Sequence, residues 1–332
     1  MRVCIFGAGA SGGHFAVRLA RAGHDVSVLA RGPHLAAIRD RGLKLRTGGE
    51  ELSANVAASD TPGDFGPQDV VIVATKATAL PAIATQIAPL VGKDTLVIFP
   101  QNGMTWWYPV GLPASYPTPP ALPIFDLAKT FLAAMRPDQV IGGIIYSANE
   151  VEASGVIKNN SPEHNRLEVA AIAGREVPAL SALRQEFERA RILSPDPGDI
   201  RTAVWTKLVT NVSGSGLGFV TSSPSDGARK DRAMSEIYRR LAREMMAIAS
   251  AHGYELGLDP EQLIAKLLHH KASMLQDYEQ GRPMEIAEIM LAPLAFARAA
   301  KLSTPTLDTV AAIAAKLAKD RGLVGADVRV DV

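Results

Sequence analysis

The sequence predicts an α/β chain in two parts: a doubly wound parallel-sheet domain over residues 1–195, then an all-helical C-terminal domain over 196–332. Three observations predict it. Short apolar runs alternate with amphipathic helical patterns through the first half, as a sheet covered on both faces requires. A glycine-rich turn joins the first apolar run to the first helix. After residue 197 the strand signals stop and helical periodicity alone continues.

Val3 to Phe6 is the first strand, and Gly7, Gly9 and Gly12 follow it on G-x-G-x-x-G spacing. Gly7 permits a tight turn, Gly9 lets backbone approach a pyrophosphate, and Gly12 lets helix and strand pack closely. His14 to Ala22 continues as a helix with Phe15, Leu19 and Ala22 on one face. The helix N-terminus offers unpaired N–H groups and a positive dipole end to phosphates. Together with Ala8, Ala10 and Ser11, these glycines form a candidate dinucleotide site, which makes the sheet domain Rossmann-type. Gly23 closes the helix, and Asp25 to Leu29 is the second strand, ending at Ala30-Arg31. An NAD enzyme keeps an acid about twenty residues past the glycines to hold the ribose 2′-hydroxyl. Here a guanidinium stands instead, suited to pair a 2′-phosphate bidentately, so Arg31 points to NADPH; the bland alternative is a solvated loop arginine.

Pro33 to Arg41 reads as a helix, followed by strand-like stretches at Leu43 to Leu45 and Leu52 to Ala57. Val70 to Ala74 is another buried parallel strand, and Lys76 stands at its C-terminal end, the edge where such sheets bind ligands. Lys76 either reaches the adenosine phosphate beside Arg31 or is a solvated lysine. Thr95 to Phe99 is the next strand, and Asn102-Gly103 follows at the same edge, placing Asn102 for nicotinamide or substrate. Trp106, Trp107 and Tyr108 lead six prolines between Pro109 and Pro123, a density that excludes helix and interior strand. The stretch to Phe125 is read as an extended loop or flap over cofactor or substrate, an anchor on the domain, or a subunit contact. Asp126 to Met135 is helical and Val140 to Ser147 is a strand. Val156 to Lys158 and Leu167 to Ala173 are expected as antiparallel additions to the sheet. Pro178 to Ala190 is a helix, and Ser194 to Gly198 is the linker.

Composition narrows the functional classes. The 332 residues are 47% hydrophobic and 21% charged with a net charge of +1, which gives no reason to propose a nucleic-acid or acidic-membrane partner. No apolar run reaches membrane-spanning length, and a first strand starting near residue 2 leaves no room for a signal peptide, so the cytoplasm is the expected compartment. The single cysteine, Cys4, lies inside a buried strand and reads as a core residue. The seven histidines include the pair His269-His270, read as a helix end, and show no metal-ligand spacing.

In the second domain, helices are expected at about Ile200–Val220, Ala228–Ala251, Pro260–His270, Met284–Ala300 and Thr306–Lys319. Their role is to supply substrate groups; long helices also offer surfaces for a homodimer. Lys207, Asn211 and Ser215 recur every four residues, so one helical face carries an ammonium, an amide and a hydroxyl. A solvated polar face is the bland alternative. Ala272 to Asp277 precedes a turn at Gly281-Arg282-Pro283, after which Glu285 opens a helix.

These residues resemble the ketopantoate reductase (2-dehydropantoate 2-reductase) family over nearly the whole chain. The matching pieces are Gly7-x-Gly9-x-x-Gly12, Arg31, Lys76, Asn102-Gly103-Met104, Trp205-x-Lys207-Leu208-x-x-Asn211, and Ser273-Met274-Leu275-Gln276-Asp277 with Glu285-Ile286 beyond. The resemblance implies an NADPH-binding Rossmann domain, a helical domain, and an oxidoreductase of pantothenate biosynthesis. It implies that Arg31 and Lys76 read the 2′-phosphate, that Lys207 is the catalytic acid assisted by Glu285, and that Asn102, Asn211 and Ser273 hold substrate. The sequence departs from the pattern at Ser215, where the family commonly has a second Asn. It departs again at Ala287 and at Met290-Leu291, in place of Asp and Asn-Gly, and in the Trp-Trp-Tyr, Pro-rich insert.

The reaction so implied is hydride transfer from NADPH to the ketone of a 2-oxo acid, with Lys207 donating the proton. Two alternatives remain: reduction of another branched or bulkier 2-oxo acid, and a non-catalytic NADPH-binding sensor. Retention of Lys207 and Glu285 argues against the sensor.

Overall fold

The computed structural model describes residues 1–173, 178–267 and 269–325. Its contacts divide into two compact units, one of residues 1–101 with 126–200 and one of residues 102–125 with Arg201 onward. The sequence expectation set the boundary after residue 195 and assigned the aromatic, Pro-rich stretch to the sheet domain. The contacts instead break at Ile200/Arg201 and give that stretch to the helical unit.

The first unit opens with β1 (Arg2–Phe6), α1 (Ala10–Arg21), β2 (Asp25–Leu29) and α2 (Gly32–Arg41). It continues through β3 (Leu43–Thr47), β4 (Glu50–Ala54), β5 (Ala57–Ser59), β6 (Gln68–Val73), α3 (Leu80–Ala84) and β7 (Val91–Phe99). After the excursion of 102–125 come α4 (Leu127–Ala134), β8 (Val140–Ile145), β9 (Asn149–Ala153), β10 (Val156–Asn159), β11 (Leu167–Ala171) and α5 (Pro178–Arg189). Seven strands form one sheet in the order β11-β8-β7-β6-β1-β2-β5, parallel except for β11, which pairs antiparallel with β8. This is the doubly wound order, with the direction of strand addition reversing between β1 and β6, where such sheets take ligands at the strand C-termini. Val3, Ile5, Val28, Val70, Ile72 and Ile98 are buried at the sheet centre. Cys4 is among them, its thiol pushed up to about 12 by burial, as a core residue should be.

One expectation about this sheet fails. β10 does not extend it; it belongs to a second, four-stranded sheet of order β4-β3-β10-β9, running parallel to β3 and antiparallel to β9. The cause is α1, which has a continuous buried run from Gly12 to Leu19 and needs cover on its outer face as well. The small sheet supplies it: a Cβ added at Gly13 would meet the Ile157 side chain of β10 at 2.6 Å.

The second unit contains α6 (Ile200–Thr210, its first residue still in the sheet unit), α7 (Leu217–Val220), α8 (Gly227–Lys230) and α9 (Arg232–Ala251). It ends with α10 (Pro260–Ala265), α11 (Ser273–Glu279), α12 (Ala292–Ala299) and α13 (Pro305–Asp320). Two π-helical turns interrupt the regular pattern, Asn211–Gly216 after α6 and Ala287–Leu291 before α12. The expected helix at 228–251 breaks at Asp231, whose carboxylate accepts from the Met234 N–H as an N-cap. α10 stops at Ala265, so His269-His270 do not end a helix; His269 pairs with Asp226 instead, at 2.8 Å. Among the described residues no helix is long and apolar enough to cross a membrane.

Trp106, Trp107 and Tyr108 are buried. The Tyr108 hydroxyl accepts from Trp205 Nε1 at 3.0 Å, and Arg201 donates to the carbonyls of Tyr108 and Val110 at 2.9 and 2.6 Å. Tyr108 also meets Phe296 edge-on at 5.4 Å between ring centroids, and Tyr116 stacks on Tyr254 at 5.1 Å. Of the three readings of this stretch the anchor describes it, although the anchorage is to the helical unit.

Candidate active site

The glycine turn lies at the C-terminal end of β1, beside the switch point. Gly7 adopts φ +102°, and a Cβ there would stand 2.4 Å from Thr75 Cγ2, so this turn admits only glycine. A Cβ on Gly12 would lie 1.9 Å from the Gly7 carbonyl oxygen, the close helix–strand contact that the spacing predicts. Gly9 differs: no protein atom comes within 4 Å of its would-be Cβ. Nothing in the fold requires glycine there; an open approach to the backbone does. The Gly7 and Ala8 amides both donate to the Leu29 carbonyl at 3.1 Å, and the first helical bond runs from Gly13 to Gly9. Ala8 therefore contributes no free N–H. The amides of Gly9, Ala10, Ser11 and Gly12 find no backbone acceptor among the described residues, leaving four donors at the helix N-terminus. These features fit the pyrophosphate of a dinucleotide.

Arg31 follows β2, exposed, as the residue preceding α2. Lys76 lies half-buried just beyond β6 and precedes the short 3₁₀ turn Ala77–Ala79. Both occupy the ligand edge of the sheet. A cleft of about 400 Å³ lined by Arg2, Gln68, Asp69, Gly92 and Leu183 sits at the opposite, N-terminal edge of the strands and is no candidate.

The remaining candidates all fall in the helical unit. Trp205 is buried against Tyr108 and Phe296, which fixes the rotation of α6. Lys207, two residues on and so on the opposite side of the helix, is half-buried, and burial lowers its ammonium from 10.5 to about 8. Thr210 Oγ1 donates back to the Lys207 carbonyl at 2.8 Å, a bond that loosens the α-helical ladder just where the π turn begins. Asn211 is buried and Ser215 half-buried within that turn. Asn102 is half-buried; next to it Gly103, at φ +82°, presses so closely on Glu288 that a Cβ would meet the Glu288 backbone at 2.7 Å. The Met104 N–H donates to the Glu288 carbonyl at 2.8 Å. The two π turns pack on each other, so closely that a Cβ added at Gly216 would lie 2.9 Å from Met290 Sδ, and α11 packs on the first of them. Ser273 is the exposed first residue of α11; Glu285 is buried immediately before the helical segment that contains the second π turn. Asn102, Asn211, Ser215, Ser273 and Glu285 are thus carried by segments that converge on the paired π turns.

Two model matches cover most of the chain. Residues 3–107 fit the family described as Ketopantoate reductase PanE/ApbA, and residues 199–318 fit its C-terminal counterpart. The chain belongs to the ketopantoate reductase family. It is 37% identical to the 2-dehydropantoate 2-reductase of Mesorhizobium japonicum over 97% of this chain and 99% of that one. A solved protein from Ralstonia solanacearum MolK2, assigned as a ketopantoate reductase, superposes with TM-score 0.86 at 31% identity, covering 97% and 99%. D-mandelate dehydrogenase, solved with NADH and anilino(oxo)acetate, shares the fold alone, with TM-score 0.82 at 20% identity and coverage of 97% and 100%. The chain is accordingly an oxidoreductase of this family, with a Rossmann-type first unit and a helical second one.

The departures from the ketopantoate reductase pattern are not scattered. Ser215 lies in the first π turn; Ala287, Met290 and Leu291 lie in the second. Sequence reasoning missed Glu288, whose Oε2 is buried without a partner among the described residues and whose carboxyl burial raises. It also missed His34, which contacts the glycine turn. Neither carries a signal at sequence level: Glu288 resembles any helical acid, and His34 any residue of a helical first turn.

Proposed function

We propose that this chain reduces 2-dehydropantoate to pantoate with NADPH. The observation that carries the reading is Lys207, an ammonium held half-buried and weakened to about 8 in a family of 2-oxo acid reductases. Such a group has the acidity a proton donor needs near neutral pH. NADPH, when bound along the glycine turn, supplies the hydride to the substrate ketone. The Gly9–Gly12 amides bind the pyrophosphate; Arg31 and Lys76 pair with the 2′-phosphate. Lys207 stabilises the negative charge growing on the ketone oxygen and transfers its proton there, a contribution on the order of 10²–10⁴ in rate, or about 3–5 kcal/mol. Glu285 keeps Lys207 charged, and Asn102, Asn211, Ser215 and Ser273 hold the substrate carboxylate and hydroxyl.

The changes in the two π turns favour a second reading, reduction of a bulkier 2-oxo acid, because Ser215 and Ala287 put smaller side chains where the family pattern carries Asn and Asp. A panel of 2-oxo acids followed by loss of NADPH absorbance decides between them. The proposal expects 2-dehydropantoate to give the highest kcat/KM, and Lys207→Ala to abolish turnover while NADPH still binds. A bulkier acid turning over faster moves the assignment to the second reading. Unchanged turnover in Lys207→Ala rejects the proton donor.

A further inference from the structure

His34 stands in the first turn of α2, three residues past Arg31 and outside every motif that the family resemblance supplies. Its ring is half-buried, and both nitrogens are engaged. The Gly155 N–H, in the turn between β9 and β10, donates to Nδ1 at 3.1 Å, so Nδ1 is an acceptor and the ring proton resides on Nε2. Nε2 in turn donates to the Ala8 carbonyl at 2.8 Å. Ala8 is the second residue of the glycine turn, and its own amide is tied to Leu29 at the end of β2. The turn that meets a pyrophosphate is therefore fixed twice, by amides to the strand before Arg31 and by an imidazole to the helix after it. Gly155, with φ +79° and its would-be Cβ 3.3 Å from Ala37 Cβ, is itself packed on α2.

We propose that His34 is a positioning residue for the dinucleotide, a strut that sets the distance between the glycine turn and the Arg31 guanidinium. Resting on the cofactor reading above, the proposal assigns His34 no contact with the cofactor. It acts by holding two groups that must engage one rigid ligand together. Losing the strut leaves the Ala8 carbonyl without its donor and frees the first turn of α2 from the glycine turn. The 2′-phosphate contact then suffers more than the pyrophosphate contact, because only the former depends on the position of α2 relative to the turn.

The test titrates reduced-dinucleotide fluorescence against the full-length protein, with NADPH and NADH separately and thermal unfolding alongside. His34→Leu should weaken NADPH on the order of tenfold, because binding must then order the released first turn of α2 against the glycine turn, and should weaken NADH less. His34→Gln, whose amide can accept from Gly155 and donate to Ala8, should restore binding to within about threefold. Should His34→Leu not fold, His34→Asn serves in its place, since its amide is too short to span both partners. Unchanged NADPH affinity in His34→Leu or His34→Asn overturns the proposal. So does equal weakening of both dinucleotides that His34→Gln fails to repair, which marks a merely structural histidine. Wild-type protein that binds neither dinucleotide defeats the cofactor reading itself.

Discussion

Lys207 shows how one side chain acquires its chemistry from packing. Trp205 is pinned in an aromatic cluster with Tyr108, His252 and Phe296, and that pin turns Lys207 to the other side of α6, where burial strips water from the ammonium. The residue type and its spacing to Asn211 were readable in the sequence. The lowered pKa was not, because desolvation depends on neighbours that no local pattern names. The sign of the consequence is fixed. In the proposed reaction Lys207 must be protonated to act as the acid, so kcat/KM for 2-oxo acid reduction should hold level at neutral pH and fall as pH rises through about 8. Stability should run the other way: between about 8 and 10.5 the unfolded chain holds the proton that the folded chain has released, so folding gains with rising pH. A pH–rate profile that stays flat to pH 10 would remove Lys207 as the ionising acid. Arg31 makes the companion case. It is exposed, so truncation should leave the fold intact while Arg31→Ala weakens NADPH far more than NADH in a binding titration. Equal losses would end the NADP assignment.

At the scale of elements, the glycine turn and β1–α1–β2 were legible because each local signal agreed with the global fold. The start of α1 was less so. The helix begins at Ala10, inside a run of Ser and Gly with weak helical preference, four residues before its apolar face announces it. The paired π turns were invisible, since the same residues satisfy ordinary helical periodicity and only the packed backbone reveals the wider turn. The three glycines give a sharp prediction, because their reasons differ. Gly12→Ala puts a methyl 1.9 Å from the Gly7 carbonyl and should destabilise the folded protein by several degrees of Tm or prevent folding. Gly9→Ala meets no protein atom and should melt as wild type does, yet lose dinucleotide affinity, because its methyl enters the space where the phosphates approach. Calorimetry paired with a binding titration checks both. A Gly9→Ala protein that binds NADPH normally would move the pyrophosphate off this turn.

The division of the whole molecule was the least legible feature. Proline density excluded α-helix and strand from 109–123, as the structure has it, with only a 3₁₀ turn opening at Pro123, but composition cannot tell an aromatic segment which partner it will find almost a hundred residues away. The stretch departs from the sheet unit after Gln101, enters the helical unit, and returns at Asp126. Its attachment is energetic as well as topological. Tyr108 is buried against Trp205, Tyr254 and Phe296, its hydroxyl satisfies a buried indole N–H, and Arg201 lies 5.8 Å over its ring. Removing such a side chain should cost about 3–5 kcal/mol, the range for large buried aromatics truncated to alanine. Where that loss appears is the informative part. If 102–125 is structurally a piece of the helical unit, Tyr108→Ala should accelerate amide exchange in α6, α9 and α12 while β1, β6 and β7 keep their protection. Hydrogen exchange read by mass spectrometry resolves the two sets of segments. Protection lost first from the parallel strands would mean that the aromatic stretch stabilises the sheet unit, as its place in the sequence suggested.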